Sequence, residues 1–406
     1  MAQETLEKFE RENKENSFKQ TEIGLIPEDW EVVRFEGSIL KRRIKVGKIK
    51  QQEYKKFGKY PVIDQSQNYI AGFCDDDEKV YRGELPVIIF GDHTRVFKFV
   101  NFPFVVGADG VKVLIPNKEI YDPKFLFYAM LTLNIPSRGY NRHYKLLREK
   151  ELPFPPLSEQ RKIVRVLDRI QQAIELQDRI IEQAKNLKKS LMQKLFTEGL
   201  YGEEQKEMEI GLIPKSWEVV RLGEVATQRK EQTLPSGGKF KYIGLEHIES
   251  GETRINRFDF DQNVKSLKYK FYEGDILYGK LRPYLDKAVK APFEGICSTD
   301  IIVIQADEKK IVSDYLVNLM HLPTFVNYAT STMTGVNHPR TSWKAISNFK
   351  IPLSPLEEQK QIAHILNVVD EKIEVEQMRK QVLKELFKTM LHKLMSGEIR
   401  LKEVEI

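Results

Sequence analysis

Gly274-Asp-Ile-Leu-Tyr-Gly279-Lys280 has the GxxxxGK spacing of a loop whose backbone cradles phosphates, so nucleotide chemistry would be sought there first. Three features oppose that use. Leu281 occupies the position that needs Ser or Thr for Mg2+, the loop interior is strand-like, and Pro283 disfavours the helix whose N-terminus would hold the anion. We read the stretch as a chance match. No GxGxxG, HExxH or paired CxxC occurs, and the seven His are scattered without metal-ligand spacing. Asp75-Asp76-Asp77-Glu78 carries enough carboxylate to hold a cation but reads more simply as a solvated turn. Asp109-Gly110 and Cys297-Ser-Thr-Asp300 read as turn and strand-edge devices, and the Asn/Asp-Pro-Pro-aromatic signature of an amino-methyltransferase is missing. The chemistry available is that of a binder.

Basic residues interleaved with Tyr, Gly and Asn suggest what it binds. In the first half these are Lys41, Arg42 and Arg43, then Arg82, His93 and Arg95, and the loop bearing Arg138, Tyr140, Asn141, Arg142, His143 and Lys145. In the second half they are Arg229, Lys230, His247, Lys280 and Arg282, with the loop bearing Asn337, His338 and Arg340. Lys and Arg neutralise phosphates, whereas Arg, Asn and Gln can also meet base edges with two hydrogen bonds. Any single Lys among them is more often a solvated surface residue. The two Gly-bearing loops stand out because each lies shortly before a long helix, at matching places in the two halves.

These residues must be positioned by a chain that is written twice. Pro155 to Phe196 returns from Pro355 onward, with Gln160, Ile163 and Lys194 matching Gln359, Ile362 and Lys393. Pro followed by a polar start suits a helix N-terminus. In the first copy Ile163, Leu167, Ile170, Ile174, Ile181, Ala184, Leu191 and Leu195 alternate in fours and threes, with Gln177 and Lys188 filling two seam positions. The second copy offers Ile362, Leu366, Val369, Ile373, Val382, Leu386, Met390 and Leu394. Such seams call for a partner helix, and each copy is the natural partner of the other. About 39 residues at 1.5 Å rise make a rod of roughly 58 Å. Gln177 and Glu376 are equivalent polar positions; they either set the register of the pair or face solvent. A second repeat, Glu22–Phe35 (EIGLIPEDWEVVRF), recurs as Glu209–Leu222 (EIGLIPKSWEVVRL), matching Trp30 with Trp217.

Between these repeats lie runs of β-branched and aromatic residues cut by Gly, Pro and Asp-Gly turns, followed by helical stretches at Tyr121–Thr132 and Ser313–Ala329. The fold class is therefore α+β: two globular heads related by pseudo-twofold symmetry, joined by two long paired helices. The divisions are an arm at 1–20, a head at 21–154, a helix at 155–200, a linker at 201–208, a head at 209–353, a helix at 354–397 and a tail at 398–406. With 406 residues, two cysteines and a charge of +6, the chain suits a reducing cytoplasm and permits a polyanionic partner. No apolar run approaches the ~18 residues that span a bilayer.

With these motifs in view, the chain resembles a specificity (S) subunit of a type I restriction-modification enzyme. The resemblance rests on IPEDWEVVRF and IPKSWEVVRL, PVIIFGDHTRVFKFVNFPFVVGADGVKVL, GDILYGKLRPYLDKAV with CSTDIIVI, and the helix starts PPLSEQRKIV and PLEEQKQIA. It runs from Thr21 to about Gly397. It implies two target-recognition domains, each reading half of a split double-stranded DNA target, with the two long helices forming an antiparallel coiled coil that fixes the gap. It also implies docking of two modification subunits that methylate adenine with S-adenosylmethionine, and of ATP- and Mg-dependent restriction subunits. No catalytic, cofactor or metal site would then reside in this chain. The two heads carry different motif versions, so their half-sites should differ. The rival classes are a coiled-coil scaffold with protein-binding heads and a stand-alone enzyme such as a fused methyltransferase.

Overall fold

Two buried tryptophans show why the chain repeats itself. The computed structural model describes residues 17–42, 47–139 and 141–402 and divides into two compact units: Met1–Leu176 with Lys380–Ile406, and Gln177–Arg379. Each unit contains one opening motif, one head and parts of both long helices.

In the first unit, β1 (Phe18–Thr21) and β2 (Gly24–Pro27) form a hairpin, and β3 (Glu31–Arg34) pairs with β11 (Glu151–Phe154) just before the long helix. Trp30, fully buried, lies between these pairs and donates its indole N–H to Glu159 Oε2 at 3.1 Å. The neighbouring Gln160 bonds three backbone groups: its amide N–H groups reach Ile120 O and Pro155 O, and its carbonyl accepts from Asp122 N–H. The Glu-Gln pair at the helix start thus fastens head to helix. The head has two sheets. One runs β10 (Val111–Leu114), β7 (Val87–Gly91), β8 (Phe97–Val100), all antiparallel. The other runs β4 (Lys48–Ile49), β9 (Val105–Gly107), β5 (Tyr60–Ile63), β6 (Gly72–Cys74), parallel at β9. Helix Pro123–Leu131, capped by Asp122, closes the core.

The second unit reuses the plan. The hairpin is β12 (Gln205–Met208) with β13 (Gly211–Pro214), and β14 (Glu218–Arg221) pairs with β24 (Lys350–Leu353). Trp217 donates to Glu358 Oε2 at 2.8 Å, while Gln359 bonds Lys310 O, Ser354 O and Val312 N–H. Its sheets run β15 (Ala226–Arg229), β23 (Ile301–Ala306), β20 (Ile276–Gly279), β21 (Ala288–Lys290), and β16 (Gln232–Thr233), β19 (Lys268–Phe271), β22 (Gly295–Cys297), β17 (Lys241–Ile243), β18 (Asp259–Phe260).

The long helices are Leu157–Glu198 and Leu356–Met395, 42 and 40 residues. They pack antiparallel: within the second unit Gln177 meets Glu376, and Lys188, further along the first helix, meets the earlier Asp370. Gln177 and Glu376 are both buried, and Gln177 Nε2 donates to the Glu376 carboxylate. Lys372, Gln177 and Arg379 together hold that carboxylate down to about 2. Of the two readings open in the sequence, the buried one is correct.

The seam needs one correction. Val382 and Leu386 are 64% and 44% exposed, and the buried or half-buried positions are Glu376, Lys380, Leu383, Phe387, Met390 and Leu394. The four-and-three alternation continues unbroken through two polar residues; apolarity at 382 and 386 was the misleading signal, because spacing decides which side faces the partner. Three boundaries also move. Strand β1 begins at Phe18, inside the stretch read as an arm, while residues 1–16 lie outside the described residues. Strand β12 occupies half of the supposed linker. The helix expected over Ser313–Ala329 is two, Ser313–Leu319 and Pro323–Ser331, because Pro323 has no N–H to continue the first and suits the start of the next. No helix among the described residues is long and apolar enough to cross a membrane.

The C-terminal segment is a clamp rather than a loose tail. Buried Arg400 makes two bonds to Glu159 (both 2.8 Å) and two to Asp29 (2.9 and 3.0 Å), with its guanidinium over the Trp30 ring. Arg400, the largest influence, and Lys402 hold the Asp29 carboxyl down to about 2, below its ordinary 3.8. Asp29's share of the clamp's contribution is therefore complete above pH ~4 and disappears only as pH falls through about 2. Arg400→Ala should destabilise the first unit by roughly 2–3 kcal/mol, because Glu159 keeps only the Trp30 and Leu401 N–H donors. Urea unfolding at pH 7 checks it; an unchanged midpoint would dismiss the clamp.

Candidate nucleic-acid interface

In each unit three loops are stitched together by equivalent backbone bonds. In the first, the β7–β8 loop meets the β9–β10 loop through Asp92 N–H to Gly110 O (2.6 Å), and the loop before the long helix joins through His143 N–H to Asp92 O (2.8 Å). In the second, Lys280 N–H bonds Asp300 O (2.9 Å) and Thr341 N–H bonds Lys280 O (3.0 Å). Arg95 and Arg282, one in each hairpin loop, are both left-handed, at φ +64° and +52°. A bulky residue seldom adopts that conformation, and such strain tends to gather at functional sites. Arg95 ties its loop to the third by donating to Ile135 O at 2.8 Å.

The third loop carries Gly-x-Asn-basic in both units: Gly139-Tyr140-Asn141-Arg142 and Gly335-Val336-Asn337-His338. Both glycines have positive φ, +68° and +98°, which a side chain would resist. Arg138, Arg142 and Lys145 are exposed in the first unit, and Arg282, Asn337 and His338 in the second, with Lys280 half-exposed. Their side chains have no hydrogen-bond or ion-pair partner among the described residues. Fixed backbone with free cationic side chains is an arrangement suited to a polyanion.

The sequence profile of the type I restriction modification DNA specificity domain matches residues 27–186 and 214–385, once per half. The chain belongs to that specificity family. It is 27% identical to the type I restriction enzyme MjaVIII specificity subunit of Methanocaldococcus jannaschii, covering 96% of this chain and 98% of the relative. It is 25% identical to the EcoDI specificity subunit of Escherichia coli, over 84% and 81%. The crystal structure of the type I restriction-modification S subunit from M. genitalium superposes with a TM-score of 0.57 at 16% identity, over 90% and 96% of the two chains, which supports the fold.

Within this specificity subunit, several sequence candidates prove to be internal braces. His143 is fully buried: its Nδ1–H donates to Asp92 O and its Nε2 accepts from Arg138 N–H, so the ring locks the third loop. His247, also buried, accepts from Gly244 N–H and lies 3.3 Å from Asp259. Arg229 grips Asp275 with two bonds and covers the Tyr272 ring, while Arg340 grips Asp300 at 2.7 and 3.3 Å. The Asp300 carboxylate raises the Arg340 pKa above its ordinary value. Arg42 pairs with Glu84, and Arg82 donates to Asp77 O. Lys41 and Lys230 are exposed, and His93 is half-buried with its N–H on Gln65. Arg43 and Tyr140 lie outside the described residues.

The GxxxxGK stretch is strand β20 and its flanks, followed only by a one-turn 3-10 helix at Pro283–Leu285, too short to receive phosphate; Asp76 caps a short turn, and Asp75 and Asp77 pair with Lys55 and Lys59. Burial pushes the Cys297 thiol up, away from nucleophilic reactivity. Among the described residues no cluster of three His, Cys, Asp or Glu is placed to hold a metal. The sequence reading missed Asp92 and Gln65, took Asp300 only as part of a strand-edge device, and took Val336 only as part of its loop. The repeated Gly-x-Asn-basic pattern was the available signal for Val336; Asp92 and Gln65 act by accepting from backbone N–H groups and Asp300 by holding the distant Arg340, none of which composition reveals.

Proposed function

We propose that this specificity subunit reads a bipartite, asymmetric double-stranded DNA target, one short word per unit, with the paired long helices fixing the gap. Modification subunits using S-adenosylmethionine would dock on it and methylate adenine, and ATP- and Mg-dependent restriction subunits would join them. The chain itself would supply recognition and no catalysis. The observation that carries this is the three-loop cluster built by the same backbone bonds in both units yet bearing unlike exposed residues. Equal scaffolds with different tips suit two different words. Docking is supported by large apolar residues left exposed on the second long helix, Val375 and Met378 in one unit, Val382 and Leu386 in the other.

Methylation mapping in a host expressing the chain with its modification partner tests the proposal. A single motif of two unlike words at one spacing is expected. A contiguous or palindromic motif would reject it. Binding should weaken with salt, since each phosphate neutralised releases counterions. Five exposed or half-exposed cations (Arg138, Arg142, Lys280 and Arg282 in loops, and Lys145 in the short helix Tyr144–Arg148) give a log–log slope of about −4 to −5 from this chain.

A further inference from the structure

Val336 is 96% exposed, an apolar residue held in water at the tip of a loop that is anything but slack. Thr334 and Arg340 exchange backbone bonds of 3.0 Å across the loop base. The Arg340 guanidinium grips Asp300 and also donates to His338 O at 3.1 Å, folding the loop over itself. Arg282 N–H bonds Pro339 O at 2.9 Å, which sews the loop to the β20–β21 hairpin loop and brings Lys280 and Arg282 alongside. A rigid tip costs little further ordering on binding. Nothing in its own unit is covered by Val336, so fold stability does not explain it.

We infer that Val336 and Asn337 are the base-reading pair of the second unit and that they read an A·T step in the major groove. The Asn337 carboxamide, one donor and one acceptor side by side, matches adenine N7 and N6, and the Val336 methyls match the thymine 5-methyl group. Lys280 and Arg282 then fall to flanking phosphates, which positions the tip without reading sequence. In the first unit the equivalent Asn141 turns inward and donates to Arg138 O, so the assignment is confined to the second. It rests on the proposed reading of DNA and specifies one site within it.

Competition binding by the complex of this chain with its modification partner tests the pair. The probes are duplexes of the mapped motif in which each adenine in turn is 7-deazaadenine and each thymine is uracil. One 7-deazaadenine in one word should weaken wild-type binding roughly 5- to 150-fold. Asn337→Ala should be indifferent to that substitution while melting like wild type and keeping every sensitivity in the other word. Val336→Ala should shed most of the penalty for one uracil. An Asn337→Ala complex as sensitive as wild type at every position overturns the inference, as does a uniform loss of binding across all duplexes. If the wild-type complex yields no bipartite motif at all, the broader proposal has failed instead.

Discussion

Removing one heptad from each long helix, Ile174–Ile180 together with Ile373–Arg379, is expected to abolish methylation at the native spacing while leaving both units folded. The two segments are centred on the Gln177–Glu376 layer, so they face each other and their loss rejoins an unbroken four-and-three seam. The pair shortens by about 10.5 Å, the length of about three base pairs. Length alone would then predict a gap three base pairs shorter. Phase argues otherwise: three base pairs turn the duplex by about 100°, whereas a heptad turns a helix only ~20° from its starting face. The phase error dominates, and simultaneous engagement of both words is lost, a penalty of about 10²–10⁴ in affinity. Inserting three heptads in each helix at the same point adds about 31.5 Å, close to one duplex turn of 34–36 Å, and should restore methylation at a gap longer by nine or ten base pairs. Methylation mapping reads both variants. Native spacing retained in the deletion would remove the helices from any role as a ruler.

Much of this organisation was legible in the sequence, because repetition doubles every signal. The helices, their pairing and the opening motifs followed from residues that recur at fixed offsets, and the structure gives the reason: Trp30 and Trp217 each need a Glu at a helix start, and Gln160 and Gln359 each satisfy three backbone groups. The seam failed only at Val382 and Leu386, because Lys380 looks unlike core and hydrophobicity was weighed above period, which points instead to Lys380, Leu383 and Phe387. The candidate site was legible only as a census of basic residues. Whether an arginine is free or braced depends on the carboxylate opposite, and Asp275 and Asp300 lie 46 and 40 residues from Arg229 and Arg340. Distant pairing of that kind leaves no local pattern.

The buried ion pair in the second unit should give the largest single loss of stability. Lys188 Nζ lies 2.6 Å from Asp370 Oδ1, and Thr253 Oγ1 donates to Asp370 Oδ2 at 2.7 Å; all three residues are buried. Thr253 belongs to the head, and its neighbours continue the attachment, Glu252 to Lys185 and Arg254 to Glu371 and Glu374. Asp370→Ala leaves a buried ammonium with no counter-ion and should cost about 3–5 kcal/mol, a large share of the 5–15 kcal/mol that folds a domain. The other copy of the repeat shows that the charges themselves are dispensable. Its equivalent positions are Phe387 and Gln171, and Phe387 packs edge-on against Tyr128 at 5.9 Å. Replacing the whole group, Lys188→Met with Asp370→Leu and Thr253→Val, removes the desolvation cost together with the pair, so it should recover most of the loss, to within about 1–2 kcal/mol of wild type. Urea unfolding followed by tryptophan fluorescence compares the two variants. If the triple variant is as unstable as Asp370→Ala, the pair is a net source of stability, and the asymmetry between the two units needs another explanation.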